Sequence, residues 1–193
     1  MKKLTFVFTV IVLFCFSVVK ISAQTPSWNW ANSATGSEES FSIAADAAGN
    51  SYAVGKFTGV SVTFGTFTLV NQDPSGLKSD LFILKYDADG NVLWAKGAWT
   101  DMTMVDGANS VTTDDAGNIY MTGFFASDTI IFSSIPVKNK FYTKDDAFIV
   151  KFNPDGIAVW AKGMGGTMYD NGRSIAVDGA GNVFVTGTFQ WSM

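Results

Sequence analysis

The sequence has 193 residues, a formal net charge of −4, one cysteine and no histidine, so the usual general base and the commonest metal ligand are both absent. Apolar residues make up 47%, aromatics 15%, with 19 glycines against 4 prolines, a balance that suits an all-β chain with frequent turns. The acidic balance excludes nucleic acid as a partner, because neutralising phosphates requires clustered Lys and Arg.

In chain order, Lys2 and Lys3 precede a continuous apolar run from Leu4 to Val19, and Ile21-Ser22-Ala23 ends on a small residue. This reads as a signal peptide over 1–23, cleaved after Ala23; the rival reading is a retained anchor, but the run is shorter than the ~20 residues that span a bilayer. Cys15 follows Leu13 and Phe14 in mid-run, so it is not a lipidation site. Cleavage would remove Lys2, Lys3, Lys20 and Cys15, leaving ten basic residues against seventeen acidic ones, a net charge of −7, over 170 residues. The expectation is a secreted or cell-surface protein with no disulfide and no membrane span in its mature chain.

From residue 24 onward the text repeats. SIAADAAGNSYAVG (42–55), SVTTDDAGNIYMTG (110–123) and SIAVDGAGNVFVTG (174–187) each hold two apolar runs around an Asp and a Gly-Asn turn, the pattern of an antiparallel hairpin. Trp30-Ala31-Asn32, Trp94-Ala95-Lys96 and Trp160-Ala161-Lys162 recur at spacings of 64 and 66, which marks a repeat array. One period predicts four strands: Ser42–Ala45, Ser51–Phe57, Asp80–Tyr86 and Asn91–Lys96, then Ser110–Thr113, Asn118–Phe125, Asp146–Phe152 and Ile157–Lys162. The runs Leu81-Phe82-Ile83-Leu84 and Ala147-Phe148-Ile149-Val150 are apolar at consecutive positions and require cover on both faces. Radial stacking of four-stranded blades supplies that cover. The pieces 58–79 and 126–145, between second and third strands, either lengthen a strand or form an extra edge hairpin.

The pattern D-x-x-G-N-x-Y/F-x-x-G, then D-x-F-I-x-K-Y/F-x-x-D-G, then W-A-K resembles the bacterial seven-bladed β-propeller repeat (SBBP) family, with kinship to NHL-type repeats. The resemblance implies an exported propeller with the Asp-Gly-Asn hairpin innermost and the Trp strand outermost, and no common catalytic activity. The expected fold is all-β, about 2.5 four-stranded blades in an incomplete ring, within a repeat domain over 24–193: an outer strand at 28–33, blades at 42–96 and 110–162, and a half blade at 174–189. The orphan strand and half blade lead to the expectation that the chain is a fragment of a longer protein; the alternative is self-association through open blade edges.

No catalytic constellation is present, and the chain is read as not an enzyme. Asp87 and Asp89 in the DADGN loop resemble the start of a calcium loop, but Ala98 stands where its bidentate Glu belongs, so turn chemistry is preferred over calcium and no cofactor is expected. Asp46, Asp114 or Asp115, and Asp178 recur beside Gly-Asn, and Glu38, Asp106 and Asp170 each stand four residues before the first-strand Ser; a per-blade structural role accounts for recurrent acids, with a cation-binding ring as the rival. Binding residues are sought where copies differ. Gly165 stands in the next copy where this one has Trp99, and Trp99 with Met102, Met104, Met164, Met168 and Tyr169 marks a candidate partner-binding face for a surface protein or glycan. The functional expectation is a non-catalytic binding or scaffold module at the cell surface; the alternative is part of a glycan-active propeller enzyme whose active residues lie in blades not present.

Overall fold

The computed structural model describes residues 29–100, 104–141 and 144–190. The signal segment 1–23, residue 28 of the expected outer strand, and Met102 lie outside the described residues. Among the described residues the secondary structure is all strand, in antiparallel sheets none of which closes on itself.

The first blade comprises β1 (Thr35–Ala45), β2 (Ser51–Phe64), β3 (Phe67–Val70), β4 (Asp80–Tyr86) and β5 (Val92–Gly97). Its order is β1-β2-β4-β5, with β3 folded back on the far end of β2. After the short β6 (Trp99–Thr100), the second blade follows as β7 (Asp106–Thr113), β8 (Ile119–Phe125), β9 (Thr129–Phe132), β10 (Ile135–Lys138), β11 (Asp146–Phe152) and β12 (Ala158–Met164). Here β7-β8-β11-β12 form the sheet, while β9 and β10 make a separate hairpin that β6 joins. The last hairpin is β13 (Asp170–Val177) with β14 (Val183–Phe189). Both expected uses of the second-to-third connection therefore occur: the first copy lengthens its strand, the second builds an extra hairpin.

The inner strands start earlier than the apolar pattern predicts, at Thr35, Asp106 and Asp170 rather than at Ser42, Ser110 and Ser174. Their leading residues (SEES, DGAN, DNGR) are mostly polar or glycine, so hydrophobic periodicity is blind to them even where, as at Asp106 and Asp170, they are buried. Asn29 to Ala34 hold no strand pairing; Trp30 packs on Tyr86 with centroids 5.1 Å apart and donates from Nε1 to the Ala88 carbonyl.

The consecutive apolar runs divide between two faces, as an alternating strand geometry requires. Leu81 and Ile83 join Val111, Met121, Phe148 and Val150 in a core shared by both full blades. Phe82 and Leu84 face the other way, onto Phe57, Val62 and Phe64. Each fully buried Phe contributes about 1.5–3 kcal/mol by removing its ring from water. β7 packs against β1 on one side and β13 on the other, so the blades fan out with their inner edges together. Side-chain to main-chain bonds fix that spacing: Ser42 Oγ accepts the amide of Val111 at 3.2 Å, and Ser110 Oγ accepts that of Ile175 at 3.3 Å.

Every inner strand carries a bulge at the same place, between Ser40 and Ser42, Ala108 and Ser110, and Gly172 and Ser174. Opposite each stands the glycine that ends the repeated motif. A Cβ there would lie 1.9–2.0 Å from a backbone carbonyl of the inner strand, at Gly55, Gly123 and Gly187 alike, so only glycine lets the bulged strand approach.

Candidate functional site

Antiparallel order sends all tight hairpins to one end of the blades and all long connections to the other. At the hairpin end the repeated Asp organises the turn. Asp46 Oδ1 accepts the amides of Ala48 and Asn50, and Oδ2 accepts Asn50 Nδ2 and the Tyr52 hydroxyl, all at 2.8–3.0 Å. Asp114 repeats the set through Tyr120; Asp178 keeps only the turn bonds. The glycine before each Asn has positive φ, 84°, 76° and 82° at Gly49, Gly117 and Gly181. Burial pushes the carboxyls of Asp46 and Asp114 up, yet the bonds from Asn50 or Asn118, the tyrosine and the turn amides outweigh it and leave both below their ordinary value. Asp87 and Asp178 are also lowered, first by the side chain of the turn Asn. Asp87 spends its oxygens on Asp89 N, Asn91 N and Asn91 Nδ2. Among the described residues, no three His, Cys, Asp or Glu side chains gather so as to hold a metal ion.

At the other end two of the recurrent acids, Asp106 and Asp170, are buried, while Glu38 of the first copy is half-buried. Asp106, 1% exposed, receives the Ala126 amide at 3.0 Å on Oδ1, and its own amide donates to the Ser79 carbonyl of the preceding blade. Asp170 repeats this with the amides of Gln190 and Gly166, and donates to the Asp145 carbonyl. Beside them Asp80 accepts the Gln72 amide at 2.6 Å and Asp146 that of Lys140 at 2.7 Å. Each blade junction thus holds two carboxyls, Asp80 with Asp106 and Asp146 with Asp170. Burial first, and then Asp80, push Asp106 up to about 8, against the pull of the Ala126 amide and Ser127. Burial likewise raises Asp80 and Asp146, the latter helped by Asp170. Asp146 Oδ1 is buried without a hydrogen-bond partner among the described residues.

The motif D-x-F-I contains Asp80 and Asp146, but nothing local in the sequence pairs them with the first-strand acids. Asn71 and Asn139 were also silent there. Each is buried, donates from Nδ2 to the Lys78 or Lys144 carbonyl, and accepts the amide two residues on. Their spacing of 68 in the sequence was the available signal.

Of the candidate partner-binding residues, the five that are described lie at this same end, in two groups. Trp99, 51% exposed, pairs across β6 with Ile131 and borders a cleft of about 340 Å³ with Leu69, Val70, Gln72 and Asp80. Met104 is half-buried just before β7. Met164, Met168 and Tyr169 stand at the next junction, the two methionines half-buried. Tyr169 is exposed, with Lys144 Nζ 4.3 Å from its ring centroid and 3.2 Å from its hydroxyl. Gly165 differs from Trp99 for a local reason: a Cβ there would meet Asp146 Oδ1 at 2.2 Å.

Residues 159–188, from the outermost strand of the second blade to the inner hairpin of the next, match the family model of the SBBP beta-propeller repeat. The chain is also 30% identical over 112 residues to an uncharacterized WD repeat-containing protein of Acanthamoeba polyphaga mimivirus. That match takes in 56% of this chain and 8% of the relative, so the chain spans less than a tenth of the relative's length.

Proposed function

We propose that this chain, whose residues 159–188 match the SBBP beta-propeller repeat, is an exported, non-catalytic binding or scaffold module acting at the cell surface. The observation that carries the reading is the contrast within the repeat: a constant frame of turns and bulges supports an end whose connections differ from blade to blade and expose Trp99 beside a cleft. An exposed indole over an apolar cleft suits stacking on a sugar ring or anchoring a protein side chain. At the same end Asp106 and Asp170 bond to backbone amides and are sealed from solvent, which fits structural carboxyls better than a hydrolytic pair facing a substrate. Export is supported by Lys2, Lys3 and the apolar run before Ala23.

The test is a binding screen of the purified chain against cell-surface glycans and surface-protein fractions, run beside polysaccharide hydrolysis assays. Binding that drops about tenfold or more in Trp99→Ala supports the reading. Turnover of a polysaccharide, abolished by an acid-to-amide change, would replace it with a glycan-active enzyme.

A further inference from the structure

The three bulges place one extra residue each on the inner side of the fan, and those residues are Phe41, Asn109 and Arg173. The backbone device is the same in all three copies while the side chain it presents is aromatic, amide and guanidinium in turn. Bulges re-aim side chains, and these three converge. Together with Lys56, Phe124 and Asn171 they line one cavity of about 360 Å³, within the ~300–1,000 Å³ usual for small-ligand sites. Each blade supplies two of the six residues: one from the bulge or next to it, and a second from the same neighbourhood.

The chemistry of the six is specific. Arg173 is exposed and has no ion-pair partner among the described residues, although the chain as a whole is acidic. Lys56 sits 5.5 Å from the Phe41 ring centroid and pairs with Glu39 at 3.3 Å. Asn109 Nδ2 donates to Asn171 Oδ1 at 2.6 Å and to the Gly172 carbonyl at 2.8 Å, which orients both amides and leaves Asn109 Oδ1 and Asn171 Nδ2 without a partner among the described residues. Phe41 is 46% exposed.

We propose that this cavity binds a carboxylated sugar of the uronic acid class. Arg173 takes the carboxylate with its planar fork, the Asn109 and Asn171 amides read hydroxyls, and Phe41 and Phe124 receive the C–H face of the pyranose ring. The proposal rests on the reading of the chain as a binding module, but its site is separate from Trp99.

Titration calorimetry of the purified chain with a galacturonate trisaccharide, and with the neutral galactose trisaccharide as control, tests it. The expected result is binding of the acidic probe alone, weakening as salt is raised. Arg173→Gln lowers that affinity about tenfold or more, one tenfold step being ~1.4 kcal/mol; Arg173→Lys restores it only in part. Circular dichroism on each variant confirms the fold. Equal affinity for the neutral probe, no binding by folded protein, or an Arg173→Gln variant that binds normally would each overturn the proposal. Loss with Trp99→Ala but not Arg173→Gln would overturn this site and leave the binding-module reading standing.

Discussion

The two ends of each blade use the same residue, aspartate, in opposite electrical states. At the hairpin end Asp46 and Asp114 receive four hydrogen bonds each, and their carboxyls lie below the ordinary value despite partial burial. At the connection end Asp106 is out of water, near a second carboxyl and held up to about 8. Hydrogen-bond donors aimed at a carboxylate favour its charge, whereas burial beside another acid disfavours it. A turn aspartate is therefore an anion that organises a loop, whereas Asp106, held up to about 8, is largely a neutral acid near neutral pH where it bridges two blades. Sequence alone gives them one letter.

The largest expected break in that contrast comes from truncation. Asp106→Ala leaves the Ala126 amide buried without its acceptor and opens a void, at a cost of roughly 2–4 kcal/mol in urea unfolding. Asp114→Ala exposes its turn amides to water instead and costs about 1 kcal/mol. Equal losses at the two positions would dissolve the distinction.

The pH dependence comes next. An acid whose folded value is raised stabilises the fold below its unfolded value, and that contribution is lost as pH rises through the folded one. For Asp106 stability should thus fall between about pH 4 and pH 8. Asp106→Asn, which retains an acceptor oxygen, should flatten this limb in thermal melts. The groups that share its surroundings, Asp80 across the junction and the Ser127 hydroxyl, remain, so a residual slope from Asp80 is expected. A wild-type protein equally stable at pH 5 and pH 8 would contradict the buried-acid picture.

The turn aspartates give the opposite limb. Their folded values are lowered, so their contribution is present above about pH 4 and is lost as pH falls through the folded values. Asp46→Asn and Asp114→Asn should shrink this acid limb without touching the one at higher pH. The smallest effect is expected at Asp178, where Phe184 replaces the tyrosine and no hydroxyl reaches the carboxylate: Asp178→Ala should shift the melting temperature less than Asp114→Ala.

Much of the fold could be read from one hairpin and one tryptophan. The D-x-x-G-N turn predicted its own hydrogen bonds, and the unbroken run at Leu81-Phe82-Ile83-Leu84 demanded two covered faces, which the split between two cores supplies. The glycine at 55, 123 and 187 was visible as a repeat, but its reason was not, since the carbonyl it accommodates belongs to another strand. The same limit hid the acid pairs. Asp80 and Asp106 are 26 residues apart in the chain and acquire their character only when two blades close over them. The difference between copies at Trp99 was legible, and the structure leaves that indole exposed beside a cleft, but Phe41, Asn109 and Arg173 went unnoticed because a bulge cannot be seen in a run of letters, and only the bulge turns those three toward one cavity.

The serines that join successive blades carry one more implication. Ser42 and Ser110 reach main-chain amides, at Val111 and Ile175, and a main-chain amide is offered by any residue except proline. At these two contacts a blade therefore engages its neighbour by backbone position and not by side-chain identity. The residues that supply those two amides could therefore drift in sequence, proline apart, without either bond being lost.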